Sequence, residues 1–465
     1  MDQQTETSSS LGAAIDVARF IDGAAISPLQ WRVVALCFLV AFVDGYDLYS
    51  MALAAPIVAS AFGFSPNAVG AILSSSLVGL MVGAFVGGPV ADRYGRKPVI
   101  VASCVIMGVM TLATVTARDE GSFLAYRFLT GLGLGAAMPT INALTSEYAP
   151  FHRRALLMTM MFIGVPLGNV VGSLFAGYAS SALGWQAIFL VGGVIPLLLS
   201  VLLLVFLPES LQYLVRTDEG RERAAVIARQ VVPSFQGTLR EQPQLSRGAV
   251  GSAESLFSDN RAMGTILIWG VFFLSLFTTF SLASWLPSVL RLAGFPLDKA
   301  LYMSSGAGIG VMVGALMIAY LIDRFGYIPS LVGAALLSAL ALVGLGFSTS
   351  SLLLTVFAIL LAGASVGGLQ IGLNALAAHY YPSASRSTGL GWALAVGRVG
   401  AIIGPILMGI LITNNWSVEA TFALVGAPGL LTVLILLKLR SRVDGPSGLK
   451  SGDQQIDDTL VAREL

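Results

Sequence analysis

Two carboxylates, Asp44 and Asp47, stand three residues apart inside an apolar run that begins at Trp31. A helix rising about 1.5 Å per residue carries both near the middle of a bilayer, and the spacing puts them on one face. Desolvation and mutual repulsion both disfavour keeping the two charged together. A carboxyl group so placed can take up a proton on one side of a membrane and release it on the other. Asp44 is the first candidate; Asp47 either shares that proton or hydrogen-bonds a ligand or a neighbouring helix. A plain hydrogen-bonded pair at a helix contact is the alternative, although ionisable groups inside a membrane are functional by default. Arg127 lies in another apolar run, cannot lose its proton, and requires an anion, for which Asp44 or Asp47 is the natural candidate. Arg398 sits among Gly397, Gly400 and Gly404 and also requires one: an acid of its own half, or a carboxylate ligand whose two oxygens match the planar guanidinium. Glu147 precedes His152, Arg153 and Arg154, and is either a second proton site or a member of a salt-bridge cluster.

The elements that must position these residues follow from composition. The chain is 56% hydrophobic and only 11% charged, with a mean hydropathy of +0.83. About 25% charged is typical of soluble proteins, so a water-soluble fold is excluded. Apolar blocks of about 20 residues, the length of a membrane helix, recur twelve times. They fall near 31–58, 68–90, 98–117, 122–146, 155–178 and 185–207, and then near 263–290, 300–322, 328–347, 352–377, 388–412 and 419–438. The expected fold is an all-α membrane protein with twelve transmembrane helices in two pseudo-symmetric six-helix bundles. Its parts are an N-terminal tail (1–30), a first bundle (31–207), a polar linker with one short amphipathic helix (208–261), a second bundle (262–438) and a C-terminal tail (439–465).

The halves repeat at an offset of 231 to 232 residues. Asp92-Arg93-Tyr94-Gly95 returns as Asp323-Arg324-Phe325-Gly326, Glu147-Tyr148-Ala149-Pro150 as His379-Tyr380-Tyr381-Pro382, and Arg154 falls on Arg386. Six spans per half make these parallel repeats. With both termini cytoplasmic, only Arg118, Arg291 and Lys299 of the 26 Lys and Arg lie outside, and Arg127 and Arg398 lie within spans; the rest fall inside, as the positive-inside rule asks. The acidic, polar segment from Met1 to Asp22 has no secretory-signal pattern, so the first helix is expected to be retained. A net charge of +1 offers nothing to nucleic acid. Cys37 and Cys104 lie in apolar runs without a second ligand at metal spacing, so neither a disulfide framework nor a metal site is expected. No nucleophile and base pair or phosphate loop stands out, which argues against an enzyme.

The segment Gly88-Pro89-Val90-Ala91-Asp92-Arg93-Tyr94-Gly95-Arg96-Lys97 resembles the signature loop of the major facilitator superfamily, with a weaker copy at Asp323 and Arg324. Gly88 permits close helix approach, Gly95 a tight turn, and Asp92 an ion pair with a guanidinium across the interface of the halves, closing the cytoplasmic side. Arg93, Arg96 and Lys97 either join that gate or only set topology; Arg154 and Arg386 are read as further gate residues. Arg127-x-x-x-Gly131-x-x-x-Gly135 resembles a second superfamily motif. Within the superfamily, Asp44-Gly45-Tyr46-Asp47, Arg127, the stretch Glu147 to Arg154, Arg386 and Arg398 resemble the aromatic acid:proton symporters. That resemblance implies one central cavity lined by spans one and four. It also implies proton coupling through Asp44, Asp47, Arg127 and Glu147, and an aromatic carboxylate held by Arg398. Gln370 and Asn374, four apart, with Asn142 and Asn169, offer amides for ring hydroxyls, and Tyr46, Tyr49, Phe277, Trp285 and Trp392 offer stacking surfaces.

Pro208-Glu209-Ser210-Leu211-Gln212-Tyr213-Leu214 resembles a sugar-porter motif, yet Phe277-Thr278-Thr279-Phe280-Ser281 lacks the paired glutamines of that group. Gly164-Val165-Pro166-Leu167-Gly168-Asn169 lacks the arrangement of drug exporters. The expected protein is thus a monomeric, cofactor-free importer in a bacterial inner membrane. It is driven by a proton gradient and alternates around one site between the halves. A porter for another small organic anion or a sugar, and a non-transporting receptor for the same anion, are the rival readings.

Overall fold

The computed structural model describes residues 15–23, 26–235, 237–240, 256–258, 261–382 and 385–443. Arg247 of the linker and the tail from 444 onward lie outside the described residues. A two-residue strand β1 (Ile15–Asp16) and the short helix α1 (Val17–Asp22) precede the first half. That half comprises α2 (Pro28–Phe62), α3 (Pro66–Tyr94), α4 (Arg96–Thr114), α5 (Glu120–Tyr148), α6 (Arg154–Phe162), α7 (Gly164–Ala182) and α8 (Gln186–Phe206). The linker carries α9 (Leu211–Leu214), the amphipathic α10 (Asp218–Val231) and strand β2 (Leu239–Arg240). The second half comprises α11 (Ala262–Leu292), α12 (Leu297–Phe325), α13 (Tyr327–Phe347), α14 (Leu352–Tyr380), α15 (Arg386–Thr413) and α16 (Val418–Val443).

Local signals start and stop these helices. Asp119 and Ser122 form a reciprocal capping box ahead of α5. Gly95 (φ 101°) and Gly326 (φ 84°) turn the chain between α3 and α4 and between α12 and α13, in a backbone region that favours glycine. Eleven segments, with α6 and α7 counted together, are long and apolar enough to cross a membrane. The twelfth span, α5, is diluted by Arg127, Asn142, its glycines and its threonines, but its 29 residues match the 29 of α14 at the offset of 232. The spans thus form two related six-helix sets. Most run further than the apolar blocks, because polar residues at the membrane surface continue the helices.

Glycines permit the closest packing, and they do so twice. In the first half Gly79 and Gly83 of α3 face the backbone of Phe128 and Leu132 on α5, while Gly131 and Gly135 face Ser76 and Leu80; a β-carbon at any of them would strike a carbonyl. In the second half Gly310 and Gly314 of α12 meet Leu360 and Ala364 of α14, and Gly363 meets Ala307. Small residues of this kind bring helices together where lipid supplies no hydrophobic drive.

The chain divides into two compact units. The first holds Met1–Ser50, Ser75–Gly172 and Leu183–Ser246, around buried residues such as Val33, Ile100, Leu134 and Leu203. In it β1 pairs in parallel with β2, Ile15 N–H donating to the Thr238 carbonyl at 2.9 Å, and Phe20 of α1 packs on Phe235 with ring centroids 4.7 Å apart. The membrane face bearing this ladder is called the linker face below. The second unit holds Arg247–Leu465 together with Met51–Ser74 and Ser173–Ala182, the far ends of α2, α3 and α7. Its core includes Ile268, Phe272, Leu331 and Leu373. At its far face Ser74 donates to the Ile402 carbonyl (2.8 Å) and Thr413 to Asn67 Oδ1 (3.1 Å). Gly70 there abuts the Pro405 carbonyl and Gly409 that of Pro66.

Candidate functional site: two arginines within the spans

The first unit encloses a polar network around Arg127, whose side chain is 1% exposed. Its Nη1 lies 3.7 Å from Asp47 Oδ1 and donates to Ser50 Oγ at 3.2 Å. Its Nη2 reaches the hydroxyls of Thr111 (3.1 Å), Thr114 (3.0 Å) and Thr130 (3.1 Å), and the guanidinium carbon lies 5.1 Å from the Phe189 ring centroid. Thr111 also donates to Asp47 Oδ1 at 2.8 Å. Several helices therefore hold one charge pair, as buried ions require. The sequence left Asp44 and Asp47 equal as partners of Arg127; the structure gives the role to Asp47. Asp44, 3% exposed, has an Oδ1 without a hydrogen-bond partner among the described residues, as has Asp47 Oδ2. Both acids are sealed in the interior of the first unit, with α4 contributing Thr111 and α8 Phe189. The expectation that they open directly on a substrate cavity is corrected accordingly: α2 turns this face inward, toward α4 and α5.

A second ionic cluster lies at the linker face of the same unit. Arg96 Nη2 bridges Asp92 (3.1 Å) and Glu147 (3.2 Å), and Ser210 donates to the other oxygen of Glu147. Asp92, at the end of α3, therefore pairs with Arg96 at the start of α4, across the turn at Gly95. Glu147 pairs with Arg96 and not with His152, Arg153 or Arg154; Arg154 donates instead to the Ala149 carbonyl and lies over Phe151. Glu209 of the sugar-porter-like motif caps α4, its Oε1 accepting from the backbone of Arg96 (2.8 Å), Lys97 (3.2 Å) and Ser210 (2.8 Å). Arg93 is exposed beside the Tyr94 ring. A β-carbon at Gly88 would meet open space, so the close helix approach expected there belongs to the glycines of the preceding turns.

The second unit holds Arg398, half-buried on α15, and among the described residues it has neither an ion pair nor a hydrogen bond. No acid among the described residues of its own unit satisfies it. Asn374 is half-buried on α14 with its amide oxygen unpartnered, and Asn142, which stands at the same place on α5 at the offset of 232, has the same vacancy in the first unit. Gln370 is already engaged, accepting from Ser275 Oγ at 2.8 Å, which weakens its claim as a ligand group. Trp392 stacks on Trp269 with centroids 5.7 Å apart and remains exposed. Tyr49 and Asn169 are half-buried, and Trp285 donates to the Pro405 carbonyl. Asp323, Arg324 and Arg386 are exposed, and Arg324 donates to the Tyr320 hydroxyl.

The sequence profile of the Major Facilitator Superfamily matches residues 37–317 and again 301–462. The chain belongs to this superfamily. Major facilitators are transporters, not enzymes. A 4-hydroxybenzoate transporter of Pseudomonas aeruginosa is 37% identical over 430 residues, 91% of this chain and 96% of that protein. One from Acinetobacter baylyi is 36% identical over 87% and 90%. A gallate transporter of Pseudomonas putida is 34% identical over 91% and 95%. Among solved structures, the xylose transporter XylE from E. coli in a partially occluded inward-open conformation superposes with a TM-score of 0.68 at 20% identity, over 89% of this chain and 98% of that one. That last likeness is one of fold.

In this major facilitator, sequence reasoning missed the hydroxyl ring of Ser50, Thr111, Thr114 and Thr130 and the capping role of Glu209. Hydroxyls at Thr111 and Thr114 recur at three-residue spacing on a membrane helix, a signal available in the sequence. The equivalence of Asn142 and Asn374 was available too, from the repeat offset.

Proposed function

We propose that this multi-pass transporter is a proton-coupled symporter that imports an aromatic carboxylate such as a hydroxybenzoate across the bacterial cytoplasmic membrane by alternating access. The linker face is its cytoplasmic side, and it works as a monomer without a cofactor. The observation that carries this reading is Arg398, a cation within a membrane helix that has no ion pair or hydrogen bond among the described residues. A planar guanidinium left open at mid-span suits a carboxylate supplied from outside the chain. The unpartnered oxygens of Asn374 and Asn142 suit phenolic hydroxyl donors, since an unfilled buried acceptor is costly and a ligand hydroxyl relieves it. Relatives named for 4-hydroxybenzoate and gallate add weight to this substrate class.

In this scheme the proton resides on the Asp44 and Asp47 pair. Protonation of Asp47 weakens its hold on Arg127, which keeps its four hydroxyl contacts, so the network can change charge without losing all its bonds. Asp44 is the entry or exit point, because no partner competes for its oxygen. Glu147, neutralised by Arg96, acts in the linker-face cluster of Asp92, Arg93, Arg96, Lys97 and Arg154, and this cluster with Arg324 and Arg386 serves the cytoplasmic gate. Far-face contacts such as Ser74 with Ile402 support a closed external side. Uptake of labelled 4-hydroxybenzoate into proteoliposomes under an imposed pH gradient is the test. Wild type should accumulate the acid, and Asp44→Asn should exchange it without gradient-driven accumulation. Unaltered accumulation in that variant would remove Asp44 from the coupling, and binding without any accumulation by the wild type would overturn transport itself.

A further inference from the structure

We infer that the linker face of the first unit holds the headgroup of an anionic phospholipid in a cleft ringed by Arg32, Lys97 and Arg223. The cleft measures about 550 Å³ and is lined also by Tyr94, Gln230 and the last turn of α8. Three elements meet there at the membrane boundary: α2 has just begun at Pro28, α4 begins at Arg96, and α8 ends at Phe206. The linker helix α10 closes the cleft with Arg223.

Charge and its lack of partners single out this cleft. Arg32 and Arg223 are exposed, and among the described residues neither has a hydrogen bond or an ion pair. Lys97 donates to the Leu204 carbonyl at 2.7 Å, which fixes its ammonium at the edge of the cleft with two N–H groups to spare. Glu209 is the one acid among the lining residues, and its Oε1 is filled by three backbone N–H groups. Three cations against one carboxylate leave a concavity of net positive charge. Guanidinium groups bind phosphate oxygens in pairs, and basic pockets between membrane helices at this depth suit acidic headgroups.

The apolar rim decides between a lipid and a soluble phosphate. Val205 and Phe206, beside the cleft, are 68% and 46% exposed, and Trp31 and Tyr94 are exposed next to the basic groups. This is the layering of a phospholipid: a phosphodiester among cations, aromatic side chains at the level of the glycerol, and acyl chains along α8. Phosphatidylglycerol has this chemistry. Bound there, it ties α10 and α2 to the Gly95 turn, whose helix Glu209 caps, and so steadies the gate cluster. The leaflet rests on the orientation proposed above; the cleft does not.

Full-length protein in nanodiscs of mixed phosphatidylglycerol and phosphatidylcholine, released for native mass spectrometry, tests the site. Wild type should retain one phosphatidylglycerol, and the double variant Arg32→Gln, Arg223→Gln should retain it about thirtyfold less well. Arg229→Gln, the loss of one positive charge on α10 outside the cleft, should retain it like wild type, and Arg32→Lys with Arg223→Lys should retain most of it. In proteoliposomes, added phosphatidylglycerol should speed uptake by wild type and not by the glutamine variant, while the two match in purely zwitterionic liposomes. Equal retention by wild type and the glutamine variant, or equal loss in Arg229→Gln, would overturn the site. Displacement of the lipid by excess inorganic phosphate would reassign it to a soluble anion. The retention readout needs no transport, so it stands apart from the fate of the symport proposal.

Discussion

At corresponding places the two halves of this transporter are built differently. Arg96 and Glu147, an ion pair at 3.2 Å, fall by the repeat offset on Tyr327 and His379, whose rings stack with centroids 4.8 Å apart at 22°. Arg127, bound by hydroxyls and Asp47, falls on Ile359, a buried aliphatic residue. The glycine contacts of α3 with α5 and of α12 with α14 are meanwhile retained. Helix packing is thus common to both halves, whereas at these corresponding places the ion pairs seen among the described residues belong to the first. A half whose buried arginine is matched internally by Asp47 and hydroxyls is suited to handling a small ion such as a proton. A half with one cation left open is suited to a larger anion. That division underlies the function proposed above.

The largest effect should come from separating the first half's buried pair. Asp47→Asn strands Arg127 without a counter-charge and should cost about 3–5 kcal/mol, read as a fall in thermal stability in detergent. Replacing both residues, Asp47→Leu with Arg127→Leu, should restore most of that stability and leave uptake uncoupled from the gradient. A single variant as stable as its parent would mean that the charge pair does not hold this half together.

The linker-face contrast should be smaller and one-sided. Glu147→Gln should destabilise by about 1–3 kcal/mol, because Arg96 loses its buried partner. His379→Gln, at the equivalent exposed position, should stay within about 0.5 kcal/mol. Equal losses in a denaturation series would erase the difference between the ends. Next in size, Arg398→Lys should leave stability unchanged and raise the KM for 4-hydroxybenzoate about tenfold, the loss of one forked contact. A drop in stability with no change in KM would instead give Arg398 a structural role. The smallest effect belongs to Asn374→Ala, which removes an acceptor already without a bond. Stability should move by less than about 1 kcal/mol, while the preference for hydroxylated over unsubstituted benzoate narrows in competition assays.

The spans were legible because a bilayer writes its thickness into apolar runs, and the repeat because charged and glycine-bearing turns recur at a constant spacing. Arg127 could be assigned an acid in the first span on electrostatic need alone. Which acid was not legible. Asp44 and Asp47 share a face by spacing, and the choice is made by the rotation of α2 against Thr111, 64 residues away from Asp47. The partners of Asp92 and Glu147 were hidden for a similar reason. Both lie near several arginines in sequence, and only the turn at Gly95 brings Arg96 between them. Gly88 was read as a packing glycine because its motif suggested it, whereas the interlocking row lies on the face of Gly79 and Gly83.

The short ladder between β1 and β2 also imposes a parity. Strands joined by a hydrogen bond must lie on the same side of a bilayer, so the chain running from one to the other crosses an even number of times. Five segments between them qualify by length and apolarity, an odd number. The missing traverse can only be α5. A bond of 2.9 Å in the aqueous phase, from Ile15 to Thr238, thereby commits Arg127 to passage through hydrocarbon, whatever the hydropathy of the helix that carries it.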